Sequence, residues 1–382
     1  MNSYDLVIIG GGISGIWTAY IAASIGKKVV LVESGLLGSG GTGRCAGIHT
    51  TQLALEIDVK LSKRSLELYD EFADKYDFEE IRNKCGFLSI EESWMAKESS
   101  KMLSNLGVTH SLLSSDELRE FVPGIIIRDS ELGVYTPHDI IIDISLLYQA
   151  IRKVLKNLNV DIYEYTTVKS VEKDDRVIKS IKSDGSTEFN GEHYVFAAGA
   201  WNKSLINRLG IWQLPTTIYV CQALTFSKPA NMKIIPLYFQ DSHIYMRPEG
   251  ATRLVIGNGY AKIIEDPDSY PNRAEPEYIE DLAEKICDRF VDPSEIKVIS
   301  GWSGPCSTTP DGYPVLGRIP GFDNAYIFDG LNGYGIMRAP AMAELLVHAL
   351  VRDAWKELPT TFDPSRFNGL RNYEPRVIEL HS

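Results

Sequence analysis

At 382 residues the chain exceeds one average domain and can bury a large core, so two domains are expected. Its 39 Lys and Arg stand against 51 Asp and Glu, a net charge of −12, which argues against a nucleic-acid partner because such binding rests on clustered cations. The five cysteines (Cys45, Cys85, Cys221, Cys287 and Cys306) are odd in number, scattered and without a C-x-x-C pair, which points away from zinc, iron–sulfur clusters and a disulfide framework.

The N-terminus begins in a strand, with no basic n-region, apolar h-region or cleavage site, and no apolar run spans a bilayer, so a cytoplasmic protein is expected. Leu6 to Ile9 is a continuous apolar run, as in a parallel strand buried on both faces. Gly10, Gly12 and Gly15 follow as G-x-G-x-x-G. The first allows a tight turn, the second lets backbone approach a pyrophosphate, and the third lets helix pack closely on strand. The helix that follows aims its N-terminus at the phosphates, Gly26 closes it, and Val29 to Val32 forms the next buried strand. Glu33 ends that strand, where an acid accepts hydrogen bonds from a ribose diol and repels a 2′-phosphate. The ligand is therefore FAD or NAD rather than NADP.

Gly38, Gly40 and Gly43 spell the same pattern, but no strand leads into them. Gly35 to Gln52 is read instead as a flexible glycine-rich loop wrapping the cofactor. Leu55 to Tyr76 has helical periodicity, Gly86 to Ile90 reads as a strand, and Trp94 to Leu106 and Ser115 to Phe121 as helices, the second capped by Ser115. Gly133 to Tyr135 is a short strand, and Asp143 caps a helix with Leu147, Ala150, Ile151, Val154 and Leu158 on one face. Three strands follow, Val160 to Tyr163, Val168 to Glu172 and Val177 to Lys182. Tyr194 to Trp201 then brings Ala-Gly to a strand end before a helix from Asn202 to Leu209.

Ile218 to Phe226, Ile234 to Phe239, His243 to Met246, Arg253 to Gly257 and Ile296 to Ser300 read as strands of an antiparallel sheet covered by a helix, Glu277 to Phe290. On a regular strand His243, Tyr245 and Arg247 share a face that suits a small anion. Finally, a strand Ala325 to Phe328 runs into GLNGYG and a helix from Ala339, whose positive end would stabilise negative charge on a reduced flavin. With no second valid nucleotide fingerprint, electrons are expected to enter the flavin from the substrate.

GGGISG with Glu33, the loop TGRCAG, FAAGAW, TTPDGYPVLG and GYGIMRAPA together resemble the FAD-dependent D-amino acid oxidase superfamily, whose members include glycine and sarcosine oxidases and the FAD subunits of L-proline dehydrogenases. The resemblance implies an α/β FAD-binding domain, Rossmann-like and of glutathione-reductase type, with a second α+β substrate domain on an antiparallel sheet. The implied division is 1–80, 144–213 and 308–382 for FAD, and 81–143 and 214–307 for substrate. It also implies FAD contacts at Gly10, Gly12, Ile13, Ser14, Gly15, Glu33, Ser34, Gly43, Arg44, Cys45, Ala46, Val168, Ala198, Gly199 and Trp201, and at Gly304, Gly333, Tyr334, Gly335, Ile336 and Met337.

Departures from the pattern bear on chemistry. The flavin-linking cysteine of sarcosine oxidases falls at Gly304, so FAD is expected to be non-covalent; the carboxylate-binding arginine of glycine oxidases falls at Cys306. The sarcosine-type lysine of the late glycine loop corresponds to Met337, and the one placed over the flavin to Val255. Arg44, Arg247, Arg338 and Tyr245 are left as candidates for the substrate's anion. The expected reaction is oxidation of a CH–NH bond in a small amino acid such as proline, sarcosine, glycine or a D-amino acid, which needs no strong base because the nitrogen lone pair assists. A 2-hydroxy acid would need a base, for which His49 and His243 are available, and TGRCAGIH also resembles a loop of L-2-hydroxyglutarate dehydrogenases. A third possibility is a flavin-bearing subunit active only in a hetero-oligomer. Electron acceptors considered are a dye, a quinone, a partner protein or oxygen, and a homo-oligomer is left open.

Overall fold

The computed structural model describes residues 3–228, 232–370 and 373. The chain opens with β1 (Ser3–Ile9), α1 (Ile13–Ser24) and β2 (Val29–Val32), and Val7, Ile8, Val30 and Leu31 are fully buried, as the unbroken apolar runs require. After a 3-10 turn at Gly41–Arg44 come β3 (Ile48–His49), α2 (Glu56–Tyr76), β4 (Arg82–Lys84), β5 (Phe87–Glu92), α3 (Ser93–Asn105), β6 (Ser111–Leu113), α4 (Ser115–Phe121), β7 (Glu131–Thr136) and β8 (Ile140–Ile142). Helix α4 is capped by Ser114, one residue earlier than expected, because Glu117 at the third helical position closes a capping box on it. Asp143 does cap α5 (Ile144–Asn157), accepting from Leu146 N at 2.9 Å. The chain then runs through β9 (Asp161–Tyr163), β10 (Val168–Asp174), β11 (Val177–Ser183), β12 (Glu188–Phe196), α6 (Asn202–Arg208), β13 (Thr217–Ser227), β14 (Leu237–Phe239), β15 (Ile244–Glu249) and β16 (Arg253–Ile264). It ends with α7 (Pro276–Cys287), β17 (Val298–Thr308), β18 (Val315–Arg318), β19 (Ala325–Asp329) and α8 (Gly335–Arg352).

Two large sheets organise these elements. The first runs β10-β11-β12-β1-β2-β9, with β19 parallel to β12 and β18 on β19; β1 lies parallel to both β12 and β2. Helices α1, α2, α5 and α8 bury one face of it around Trp17, Tyr69 and Leu346, while Ile206 and Phe367 pack on the other face. The second runs β17-β13-β16-β15-β14-β5-β7-β6 and is antiparallel except where β14 meets β5. Helix α7 covers its far face through Tyr278, Leu282 and Ile286. The strands of the first sheet come from 3–32, 161–196 and 315–329, and those of the second from 87–136 and 217–308. A small sheet, β3-β8-β4, ties Ile48 to Ile141.

Three expectations are corrected. Strands β16 and β17 continue well past Gly257 and Ser300, because β13 pairs with both along its whole length and carries them through Gly257, Gly301 and Gly304. Helix α8 begins at Gly335 rather than at Ala339. Pro340 sits inside the helix, where it cannot donate to Ile336 O; the Tyr69 hydroxyl donates there instead at 3.2 Å, and Ser65 Oγ accepts from Ala341 N at 3.1 Å. Gly38–Gly43 is a folded turn and not a slack loop: Gly43 N donates to Gly38 O and Gly38 N to Gly11 O, at 2.8 and 3.0 Å.

Candidate active site

A cavity of about 1260 Å³ runs from the carboxyl ends of the first sheet's parallel strands to the near face of the second sheet. At its first end the three fingerprint glycines are distinguished by their surroundings. Gly10 has φ +109 and a Cβ there would lie 2.6 Å from Ala197 O; a Cβ on Gly15 would lie 1.9 Å from Gly10 O, which is how close α1 rides on its strand. Gly12 differs, with φ −73 and ψ −175, which any residue adopts, and with only Thr42 Oγ1 near its Cβ position, at 3.5 Å. It borders the cavity together with Ile13 and Ser14. Backbone approach to a ligand is thus the role left to Gly12, at the positive end of α1. Glu33 is fixed at the end of β2, its Oε2 accepting from Gly11 N at 2.6 Å and its Oε1 from Gly35 N at 2.7 Å, with Ser34 Oγ at 3.2 Å.

The loop 38–47 forms the roof. A Cβ on Gly40 would lie 3.1 Å from the Trp201 ring, and one on Gly304 would lie 2.8 Å from Arg44 Cβ. Arg44 donates to Ser39 O, to Gly40 O at 3.2 Å and to Asn272 Oδ1 at 3.3 Å. Cys45 and Ala46 continue the wall, and burial pushes the Cys45 thiol up to about 11, which keeps it protonated. Val168, Ala198, Gly199 and Trp201 line the side, with Ala198 N held by Asn202 Oδ1 at 3.0 Å. From the opposite side Gly333, Tyr334, Gly335, Ile336 and Met337 present the N-terminus of α8. Gly15 and Gly43 do not border the cavity; both lie behind its wall, against backbone carbonyls.

The near face of the second sheet closes the other end. Register places Trp302, Ala223, Gly257, Tyr245, Tyr238 and Ser89 in one row across six strands. A Cβ on Gly257 would lie 2.2 Å from the Tyr245 hydroxyl, so this glycine makes room for the phenol above it. His243 also borders the cavity, but with φ +54 it sits in the turn before β15 and not on the strand, and its Nδ1 meets Tyr238 OH at 2.8 Å.

Three candidates fall outside the cavity wall. Arg247 turns its Nε to Ala46 O and its Nη1 to Pro248 O at 3.1 Å, so this half-buried guanidinium anchors the roof loop to the sheet. Arg338 is 1% exposed and bonded to Asp58 at 2.6 Å, an ion pair joining α8 to α2. His49 is fully buried against Tyr69 and Ser62, and burial pushes its imidazole down to about 3. Sequence reasoning missed Ser89, Glu91, Tyr238 and Gln240, and Trp94, Glu98, Ser99 and Met102 of α3, which line the cavity at the second-sheet end. The alternation of Phe87, Ser89 and Glu91 with apolar Leu88 and Ile90 was the available signal.

The family model for FAD-dependent oxidoreductases, DAO, matches residues 5–349. The chain belongs to this family. It is 27% identical over 368 residues to a glycine oxidase of Bacillus licheniformis, covering 93% of this chain and 96% of the relative. It is 26% identical over 382 residues to a sarcosine oxidase subunit beta of Arthrobacter sp, covering 96% and 91%. A solved structure, L-proline dehydrogenase from P. horikoshii, superposes with a TM-score of 0.86 at 25% identity, covering 96% of this chain and 98% of that one. The DAO-family protein is thus an FAD-dependent oxidoreductase with the α/β architecture expected. The cradle left by Gly12, the α1 terminus and the fixed Glu33 carboxylate fit that cofactor. Among the described residues no helix is long and apolar enough to cross a membrane.

Proposed function

We propose that the protein oxidises the CH–NH bond of an amino acid related to glycine, sarcosine or proline. The observation that carries this reading is the single cavity joining the dinucleotide cradle to the Tyr238 and Tyr245 face, so that a small ligand on that face meets the flavin end. FAD supplies the hydride acceptor. The chain's own residues bind and orient the substrate, and the amine lone pair makes a strong base unnecessary. The names of the glycine and sarcosine oxidase relatives support the same class. The interleaved division at residues 80, 143, 213 and 307 belongs to this proposal, with the first sheet holding FAD and the second the substrate. Oxidation of a 2-hydroxy acid is weakened, because His49, one of its two candidate bases, is sealed off from the cavity and held neutral.

The test is anaerobic mixing of purified protein with L- and D-amino acids, N-methyl amino acids and 2-hydroxy acids, following loss of the oxidised flavin band. Bleaching by an amino acid is expected; bleaching by 2-hydroxy acids alone overturns the reading. A second reading, a flavin-bearing subunit active only in a hetero-oligomer, is favoured by the likeness to sarcosine oxidase beta subunits. No bleaching by any compound, with full FAD content, would support it.

A further inference from the structure

Among the described residues no lysine or arginine lines the second-sheet end of the cavity, so an amino acid's carboxylate there would be held by neutral donors. Among the described lining residues there is no lysine, and the arginines are Arg44 and Arg208. Arg44 is committed to Ser39 O, Gly40 O and Asn272, and Arg208 donates to Val168 O at 3.0 Å, both beside the roof and cofactor wall. Arg247 and Arg338 face away, onto Ala46 O and Asp58. Besides tyrosines and cysteines, the ionisable groups lining the second-sheet end are His243, Glu91 and Glu98.

Glu91 is the unusual one. It is 8% exposed, and its carboxylate receives Ser89 Oγ on one oxygen and Ser99 Oγ, at 2.9 Å, on the other. No cation pairs with it among the described residues, whereas the buried Asp58 and Glu131 each have an arginine, at 2.6 and 2.8 Å. Among the described residues Asp139 and Asp329 lack a cation too, but Asp139 is surrounded by Thr50, Thr51 and Thr136 and does not border the cavity, and Asp329 borders it away from this end, at the end of β19, where it accepts from Ser307 Oγ and Gly330 N. A buried carboxylate that opens on a ligand cavity, oriented by two hydroxyls and with no counter-charge among the described residues, is stabilised by a positive group brought in by the ligand. Trp94 borders the same end, an aromatic residue of the kind that attracts a cation.

We infer that the substrate carries a second, positively charged group besides the amine that is oxidised, and that Glu91 receives it. The class is a diamine or a basic amino acid with its distal ammonium towards β5 and α3. This rests on the amine-oxidising reading above. The oxidation itself is unchanged: the C–H leaves as hydride to the flavin, and the C–N bond becomes C=N.

The experiment compares two compounds of equal length, each with an N-methylamine at one end: N-methyl-1,4-diaminobutane, ending in an ammonium, and 4-methylaminobutanoate, ending in a carboxylate. Each is mixed anaerobically with the holoenzyme, with sarcosine and proline alongside. The ammonium compound should bleach the flavin with a half-saturating concentration at least roughly tenfold lower than the carboxylate one, the scale of one charge-assisted contact. Glu91→Gln should raise that value by a similar factor and lower the preference between the pair, with FAD content intact. Comparison of the pair on the unaltered protein does not depend on the variant folding. Stronger bleaching by 4-methylaminobutanoate, sarcosine or proline than by the diamine would overturn the inference while leaving amine oxidation standing. Bleaching by none of the four would remove the reading on which it rests.

Discussion

The same substitution at two glycines of one fingerprint should produce two different failures. Replacing Gly15 with Ala puts a methyl 1.9 Å from Gly10 O, well inside an ordinary contact, and that oxygen belongs to backbone that cannot swing away. Helix α1 must then lift from β1 by an ångström or more. Overpacking of this kind costs about 1–3 kcal/mol or more, against a helix-propensity gain of about 1 kcal/mol for Ala over Gly. The net loss, at most about 2 kcal/mol unless the overpacking cost exceeds that range, would lower the melting temperature of flavin-stripped protein by up to about 4 °C, at roughly 2 °C per kcal/mol for a large domain. Gly12→Ala meets nothing closer than Thr42 Oγ1 at 3.5 Å, and its backbone is already extended, so stripped protein should melt as before. If the pyrophosphate lies at this turn, as the fingerprint implies, the methyl would instead crowd it. Losing one charge-assisted backbone contact weakens FAD binding by about 1.5–3 kcal/mol, or roughly tenfold to 150-fold. Circular dichroism melts of stripped protein and titration by quenching of flavin fluorescence separate the two. A lowered melting temperature for Gly12→Ala with unchanged FAD affinity would refute the assignment of the pyrophosphate to this turn.

Asp329, buried at the end of β19, has its carboxyl pushed up to about 6 from 3.8 by burial, so the folded chain holds more protons than the unfolded one between those values. That contribution to stability is fully present below 3.8 and lost as pH rises through 6. Asp329→Asn keeps an oxygen for Ser307 Oγ and Gly330 N, so its melting temperature should gain on the parent's from pH 4 to pH 7, and parallel profiles would remove Asp329 as the cause. FAD should be released by acid precipitation, since Gly304 stands where a linking cysteine would be; a washed pellet that stays yellow would contradict this. Oxygen should be a slower acceptor than a dye, because Val255 is fully buried in β16 and no lysine is among the described residues lining the cavity. Equal turnover with both would disprove it.

How much of this was legible in the sequence follows from the range of the forces involved. The turn from Gly10 to Gly15, the double-sided burial of Val7 and Val30, and the cap at Asp143 are local, and each is determined by residues within a few positions of itself. The fixed place of Glu33 was readable for the same reason. The arginines were not. Arg247 finds Ala46 O across 201 positions and Arg338 finds Asp58 across 280, and a long side chain's destination is decided by such partners, not by its neighbours in sequence. Helix α8 misled in the same way, since what lets it run through Pro340 is the hydroxyl of Tyr69 on another helix.

The substrate end shows why a motif resemblance locates a cofactor more sharply than a substrate. Backbone contacts to FAD use groups that every residue has, so the sequence constrains them mainly through glycine, where a Cβ cannot fit. The proposed substrate face is built from side chains on β5, β14, β15, β16 and α3, brought together only when the second sheet forms around β13. Its chemistry depends on which side chains remain uncommitted after folding. The guanidinium of Arg247 is removed from that set by Ala46 O, and the carboxylate of Glu91 stays in it, with no cation beside it among the described residues. Counting charged residues along β15 therefore suggests an anion site, whereas the cavity wall on that side carries Glu91 and not Arg247.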